Sequence, residues 1–281
     1  MLEAAQIRPV VVAALAEDAP SGDVTSQVFV PAEAVATADV VAREPGVMAG
    51  VQVLEVVFAE VDPAVEVVLH IDDGQEFDAG DVLATISGPA RAILRGERIA
   101  LNLVQRMSGI ATLTAEHVAA VAHTRARVVD TRKTTPGLRV LERHAVRCGG
   151  GHNHRFSLSD AVMAKDNHLA LTHDVTAAIV AARAKIPHTM HLEVEVDRLG
   201  QIEPVLAGGV DTIMLDNFTL DELRAGVAQV AGRATVEASG GVSLETVRAI
   251  AETGVDVISV GALTHSVRAL DLGLDLVVES T

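Results

Sequence analysis

From Arg127 onward the chain repeats one pattern: a short apolar run, a polar or small residue where the run stops, then a stretch with helical spacing. The runs are 127–130, 161–165, 191–195, 211–215, 234–238 and 256–260. Such alternation predicts parallel β/α construction, because neighbouring parallel strands need a crossover long enough to carry a helix. Six strands fall short of the eight that close a barrel, so the expected α/β fold is an incomplete β/α barrel. The run ends carry Asp130, Lys165-Asp166, Glu193 and Glu195, Asp216, Glu237 with Ser239, and Ser259 with Gly261. Sites in parallel β/α folds are built at the carboxyl ends of the strands. Helix capping accounts for Asn217 and Ser243, but it does not account for charge at nearly every strand end.

The first 88 residues read differently. Ile7, Val10, Val11, Ala14 and Leu15 follow the rhythm of an amphipathic helix, which outweighs a superficial likeness to a signal peptide ending at Ala14-Leu15-Ala16. A turn at 18–23, strands at 37–43, 65–70 and 82–86, and a helix at 51–61 make an N-terminal α+β sandwich. After Pro89, helical spacing runs through Ile93, Ile99, Leu103, Ile110, Leu113 and Val118, with a break expected at Ser108-Gly109. The domain junction is placed there: residues 1–108 form the sandwich, 109–267 the β/α catalytic domain with a phosphate site, and the tail 268–281 packs back on the first domain.

Lys+Arg number 22 against 38 Asp+Glu, a net charge of −16, which excludes a non-specific nucleic-acid binder. No uncharged run approaches the roughly 20 residues of a membrane span, so no membrane partner is expected. A single cysteine, Cys148, fits a reducing cytoplasm. The cations are segregated. The stretch from Arg91 through Asp166 holds 13 of the 22 basic residues and six acidic ones, as a focused site for an anionic ligand requires. Arg91, Arg95, Arg106, Arg125 and Arg143 read as a solvated helix face. Of only three lysines, Lys133 and Lys165 fall inside this stretch, and a compact ammonium suits phosphate contacts or proton handling.

Glycine-bearing loops, Ser239-Gly240-Gly241 and Gly261-Ala262, follow the last two strands, the position at which β/α folds commonly bind phosphate. The segment 130–139 sets Arg132 and Lys133 directly after a strand, able to offer paired guanidinium bonds to a carboxylate and an ammonium to phosphate. Residues 149–155 form a glycine-rich turn carrying His152, His154 and Arg155. Cys148, His152 and His154 also admit a zinc reading, whereas His144 and Cys148, four apart on a helix, read as structural.

Over essentially its whole length the chain resembles the quinolinate phosphoribosyltransferases, also called carboxylating nicotinate-nucleotide pyrophosphorylases. The resemblance rests on Glu17-Asp18, Gly22 to Ser26, Glu97 to Asn102, Ser108 to Thr112, Asp130 to Arg139 and Gly149 to Arg155. It continues through Lys165 to His168, Glu193 to Val196, Met214 to Asn217, Glu237 to Gly241 and Ser259 to Ala262. Ser157 and Ser159 stand where the family pattern usually has glycine. The resemblance implies a type II phosphoribosyltransferase that converts quinolinate and phosphoribosyl pyrophosphate to nicotinate mononucleotide, pyrophosphate and carbon dioxide for NAD biosynthesis. By resemblance, Arg98, Arg132, His154, Arg155 and Lys165 surround the diacid and Lys133 reaches the donor phosphates. Glu195 and Asp216 hold Mg²⁺, while Ser239, Gly240, Gly241, Gly261 and His265 receive the 5′-phosphate. Lys133, Lys165, Glu195 and Asp216 are the expected catalytic set. The resemblance also implies a homodimer in which Arg98 reaches the neighbouring subunit's site. Two rivals remain: a related phosphoribosyltransferase-like protein of molybdenum transport, and a non-catalytic sensor of a phosphorylated ligand.

Overall fold

The computed structural model describes residues 2–277; Met1 and residues 278–281, the end of the expected tail, lie outside it. The chain divides into two compact units, Met1–Ala115 with Thr134–Gly150 and Ser266–Thr281, and Glu116–Lys133 with Gly151–His265. Among the described residues no helix is long and apolar enough to cross a membrane.

In the first unit, helix α1 (Ala4–Asp18) buries Ile7, Val11 and Leu15, one residue per turn. Asp23 then caps the six-residue α2 (Val24–Phe29) by accepting the Ser26 N–H at 3.1 Å. The sequence pattern gave no sign of α2, because six residues are too few to display a period. An antiparallel sheet follows in the order β12-β1-β5-β3, built from β1 (Val35–Ala42), β3 (Glu66–Leu69), β5 (Val82–Pro89) and β12 (Leu272–Val277). Ala38, Val40 and Ala42 alternate inward along β1. Helix α3 (Val51–Val61) buries Val51, Val53, Leu54, Val56, Val57 and Phe58, each contributing roughly 1.5–3 kcal/mol of transfer free energy. A small ladder pairs β2 (Gly46–Val47) with β4 (Glu76–Phe77).

Helix α4 (Ala90–Val121) runs unbroken, so the break expected at Ser108-Gly109 is absent. A Cβ on Gly109 would stand 2.2 Å from the Arg268 carbonyl oxygen, and Ser108, fully buried, accepts the Ala49 N–H at 3.2 Å. Both residues serve close packing of a continuous helix against backbone, a use that looks identical to a helix breaker in sequence. The solvated-face reading of the arginines also fails in part. Arg143 is buried, Arg91 Nε donates to the Val30 carbonyl at 2.9 Å, and Arg106 Nε donates at 2.8 Å to Glu142, itself buried on α5 (Arg139–Cys148). Arg125 is exposed, as read.

The second unit is a six-stranded parallel sheet in the order β6-β11-β10-β9-β8-β7. Its strands are β6 (Arg127–Val129), β7 (Val162–Ala164), β8 (Leu192–Val196), β9 (Thr212–Asp216), β10 (Thr235–Ser239) and β11 (Val257–Ser259). These fall within one or two residues of the six runs. Near-continuous burial of β8, β9 and β10 reflects a sheet covered on both faces. β6 and β7 are its two edges, so the sheet is open and no closed barrel forms among the described residues. The crossovers carry α6 (Asp166–Leu169), α7 (Val175–Arg183), α8 (Ile202–Ala207), α9 (Leu220–Val230) and α10 (Leu244–Ala251), and α11 (Ala262–His265) follows β11.

Candidate active site

The carboxyl ends of these strands surround a cavity of about 530 Å³. Each strand supplies its part: Thr131, Arg132 and Lys133 after β6, Met163 and Lys165 at β7, Glu195 on β8, Met214 and Asp216 on β9, Glu237 and Ser239 on β10, and Ser259 on β11. His154, Arg155, Asn217, Gly240 and Gly241 complete the lining.

Backbone pairing brings His154 and Arg155 here. His152 bridges in parallel to Val129 at the β6 edge, its N–H donating to the Val128 carbonyl at 2.9 Å and its carbonyl accepting the Asp130 N–H at 3.1 Å. The fully buried Asp130 carboxylate then accepts the Asn153 side-chain amide at 2.5 Å and the His154 N–H at 2.8 Å. Asp130, noted as a strand-end charge, therefore anchors the loop rather than facing the cavity. Further on, Ser157 Oγ donates to Asp160 at 2.8 Å and accepts the Ser159 N–H at 3.1 Å. Neither serine sits at a positive φ, so the loop does not need the glycines usual there.

His154 is engaged at both ring nitrogens. Nδ1 accepts the Arg155 N–H at 2.7 Å, while Nε2 lies 3.2 Å from Glu193 and 3.6 Å from Glu237. Burial presses the imidazole toward neutrality, but the two carboxylates outweigh it and its pKa is raised. Glu193 and Glu237 are themselves buried, and burial together with the Glu193 charge pushes Glu237 up to about 7. Burial, with Arg132 beside it, lowers the Arg155 pKa from its ordinary value. Guanidiniums crowded to that degree are stabilised by an anion between them.

Around the carboxylates, Lys165 Nζ donates to Glu195, and Asn217 Nδ2 donates to Asp216 at 2.6 Å. Asn217 stands at φ +58°, and its N–H donates to the Ser239 carbonyl at 2.9 Å. It is not the helix cap expected from sequence: α9 is capped by Thr219, whose side chain accepts the Glu222 N–H. Its strained backbone instead lays its amide against Gly240, where a Cβ would come within 2.2 Å of Asn217 Oδ1. Ser243 does occupy the N-cap position of α10. On the other flank Thr264 Oγ1 donates to the Lys133 carbonyl at 2.7 Å, and a Cβ on Gly261 would meet Lys133 Cδ at 3.0 Å and His265 Nε2 at 3.1 Å.

Of the residues singled out from sequence, Lys133, Lys165, Glu195, Asp216, Arg132, His154, Arg155, Ser239, Gly240 and Gly241 line this one cavity. Gly261 and His265 stand beside Lys133. Arg98 lies on α4 in the first unit with its side chain exposed. The zinc reading of Cys148 with His152 and His154 does not hold: Cys148 groups with Asp73 and His144, and His154 with Glu193 and Glu237. Met163, Met214 and the Glu193–Glu237 pair gained no role from sequence. The glutamates were visible as strand-end charges, but their convergence on His154 was not.

The chain matches the family model described as quinolinate phosphoribosyl transferase, C-terminal domain, over residues 110–275, and the corresponding N-terminal domain over residues 23–108. The chain belongs to the quinolinate phosphoribosyltransferase family. It is 48% identical to the nicotinate-nucleotide pyrophosphorylase [carboxylating] of Mycobacterium leprae, covering 94% of each chain. It is 43% identical to the probable nicotinate-nucleotide pyrophosphorylase [carboxylating] of Bacillus subtilis, covering 94% of this chain and 91% of that one. Among solved structures, the nicotinate-nucleotide pyrophosphorylase of Francisella tularensis superposes with a TM-score of 0.92 at 34% identity, covering 98% of both chains. The phosphoribosyltransferase fold is thus shared over both units' sequences, including the antiparallel sheet and the open parallel one.

Proposed function

We propose that this quinolinate phosphoribosyltransferase joins quinolinate to phosphoribosyl pyrophosphate, releasing nicotinate mononucleotide, pyrophosphate and carbon dioxide in NAD biosynthesis. One observation carries the reading at the level of residues: Arg132, Lys133, Arg155 and Lys165 line a single cavity together with the Gly240-Gly241 turn. Two dianionic regions must meet there, and fixed cations remove the repulsion that would keep them apart.

In this reading Arg132 and Arg155 take the two neighbouring carboxylates, for which a planar guanidinium fork is suited. Lys165 borders the ring, and His154, with both nitrogens engaged by the protein, holds the Arg155 backbone in place. Lys133, packed beside Gly261 and His265, turns to the donor phosphates. Gly240 and Gly241, at φ +92° and +61°, bring backbone N–H groups to the 5′-phosphate with Ser239. The pyridine nitrogen attacks the anomeric carbon as the bond to pyrophosphate breaks, the electron pair leaving with pyrophosphate. The quaternised nitrogen then stabilises the carbanion left at C2 when carbon dioxide departs, and C2 takes a proton. No covalent intermediate with the protein is required, so positioning and preorganised charge supply the acceleration.

Glu195 and Asp216 suit Mg²⁺: both are hard oxygen donors lining the same cavity, and a two-carboxylate site leaves room for the waters and phosphate oxygens this ion retains. When bound, the ion would neutralise charge on the pyrophosphate leaving group. The working unit is a homodimer in which the exposed Arg98 completes a neighbour's site, and the cytoplasm is its location, in keeping with one unpaired cysteine. The molybdenum-transport and sensor readings find no support among the relatives described.

The test is release of labelled carbon dioxide from quinolinate carrying the label in its 2-carboxyl group. Release that depends on phosphoribosyl pyrophosphate and Mg²⁺ is expected; full retention of label by active, folded protein would overturn the assignment.

A further inference from the structure

Away from the catalytic cavity, the first unit holds a cluster of three different donor types. Asp73 lies in the turn before β4, and His144 and Cys148 lie one turn apart on α5. His144 Nε2 is 2.6 Å from Asp73 Oδ2 and 3.4 Å from Cys148 Sγ, and the three donor atoms lie within 4.8 Å of one another. We propose that Asp73, His144 and Cys148 form a binding site for a thiophilic divalent cation of the zinc class.

The spacing is close to what such an ion needs. Tetrahedral zinc with bonds of roughly 2.0–2.3 Å holds its ligand atoms about 3.3–3.7 Å apart. The sulfur-to-nitrogen span already matches, and the nitrogen-to-oxygen pair has to open by about 0.7 Å. The nitrogen, oxygen and sulfur donors suit zinc, cobalt or cadmium rather than Mg²⁺, which takes oxygen. The carboxylate is also held from behind: Asp73 Oδ1 accepts the Gly50 and Val51 N–H groups at 2.6 and 3.0 Å at the start of α3, leaving Oδ2 aimed at His144. The turn sits against the end of α5, since a Cβ on Gly74 would stand 3.1 Å from the Cys148 carbonyl oxygen. All three residues are of intermediate burial, and in this proposal water supplies the fourth ligand.

Proton balance is simple. Burial and the Asp73 charge push the Cys148 thiol up to about 12, so the metal-free cluster keeps the S–H. Binding forms the metal–sulfur bond with loss of that proton to solvent, and the His144 proton moves from Nε2 to Nδ1 so that Nε2 can coordinate. The ion would tie α5 to the start of α3, which the Asp73–His144 hydrogen bond alone does in its absence.

The experiment uses the full chain, stripped with a chelator and kept in excess Mg²⁺ so that oxygen-only sites are filled. Titration with Co²⁺ should give one equivalent with a near-ultraviolet thiolate-to-cobalt band that Zn²⁺ abolishes, and Zn²⁺ should raise the unfolding temperature. Cys148→Ala and His144→Gln should lose the band, bind at least about 10-fold more weakly and lose the Zn²⁺ stabilisation, while keeping wild-type circular dichroism and pyrophosphate release. Should the alanine variant misfold, the near-isosteric Cys148→Ser carries the same expectation for the band. Co²⁺ bound without a thiolate band, or Zn²⁺ stabilisation unchanged in the variants, would overturn the site. Neither result bears on carbon dioxide release.

Discussion

Lys133 shows how little of its meaning a residue carries alone. It is one of three lysines, and its chemistry follows from position: after β6, its carbonyl held by Thr264, its stem packed beside Gly261. Lys133→Ala and Arg132→Ala are each expected to lower turnover by about 10²-fold or more, the loss typical of a preorganised charge donor, with circular dichroism unchanged. Near-normal turnover in either variant would remove that residue from the chemistry. Glu237 makes a prediction of different kind. Its carboxyl titrates near 7 when folded against an ordinary 4.5, so the folded state keeps a proton the unfolded state gives up. Stability therefore falls as pH rises through that window. Glu237→Gln, which resembles the protonated form, should gain stability relative to wild type between pH 5 and pH 8 in urea denaturation. A constant difference across that range would show that the shift is absent.

Helix α4 illustrates the same point for a secondary structure element. Its apolar spacing announced a helix, yet Ser108-Gly109 mimicked a break because the sequence does not reveal that Arg268 backbone crosses there. Gly109→Val would force a methyl-bearing carbon onto that carbonyl and should cost about 1–3 kcal/mol or more, the range for overpacking. Gly200→Ala, where an added Cβ meets nothing within 4 Å, should stay within about 0.5 kcal/mol. Equal effects in the two would mean that the close approach is not what selects glycine. The six parallel strands, by contrast, were readable almost to the residue. A short apolar run ending in charge is a local signal, and burial on both sheet faces makes it nearly continuous.

For the assembled protein, the proposed homodimer with shared sites predicts complementation. Arg98→Ala and Lys165→Ala chains, each inactive alone, should recover part of the activity when mixed, since a mixed dimer then holds one site with both residues intact. A silent mixture after verified subunit exchange would confine each site to one chain. What the sequence determined by itself was the class of fold, the six strands, the charge at their ends and the family motifs. All of these are set by local periodicity and by residue type at fixed spacing. What only the tertiary structure decided was partnership: that Glu193 and Glu237 converge on His154, that Asp130 anchors a loop instead of lining the cavity, and that Asp73 meets His144 and Cys148. Apart from His144 with Cys148, whose helical spacing is local, such contacts join residues from 24 to 83 positions apart, and nothing in the intervening sequence records the distance through space. They are fixed by strand order and helix packing, which the chain reaches only once the whole core is buried.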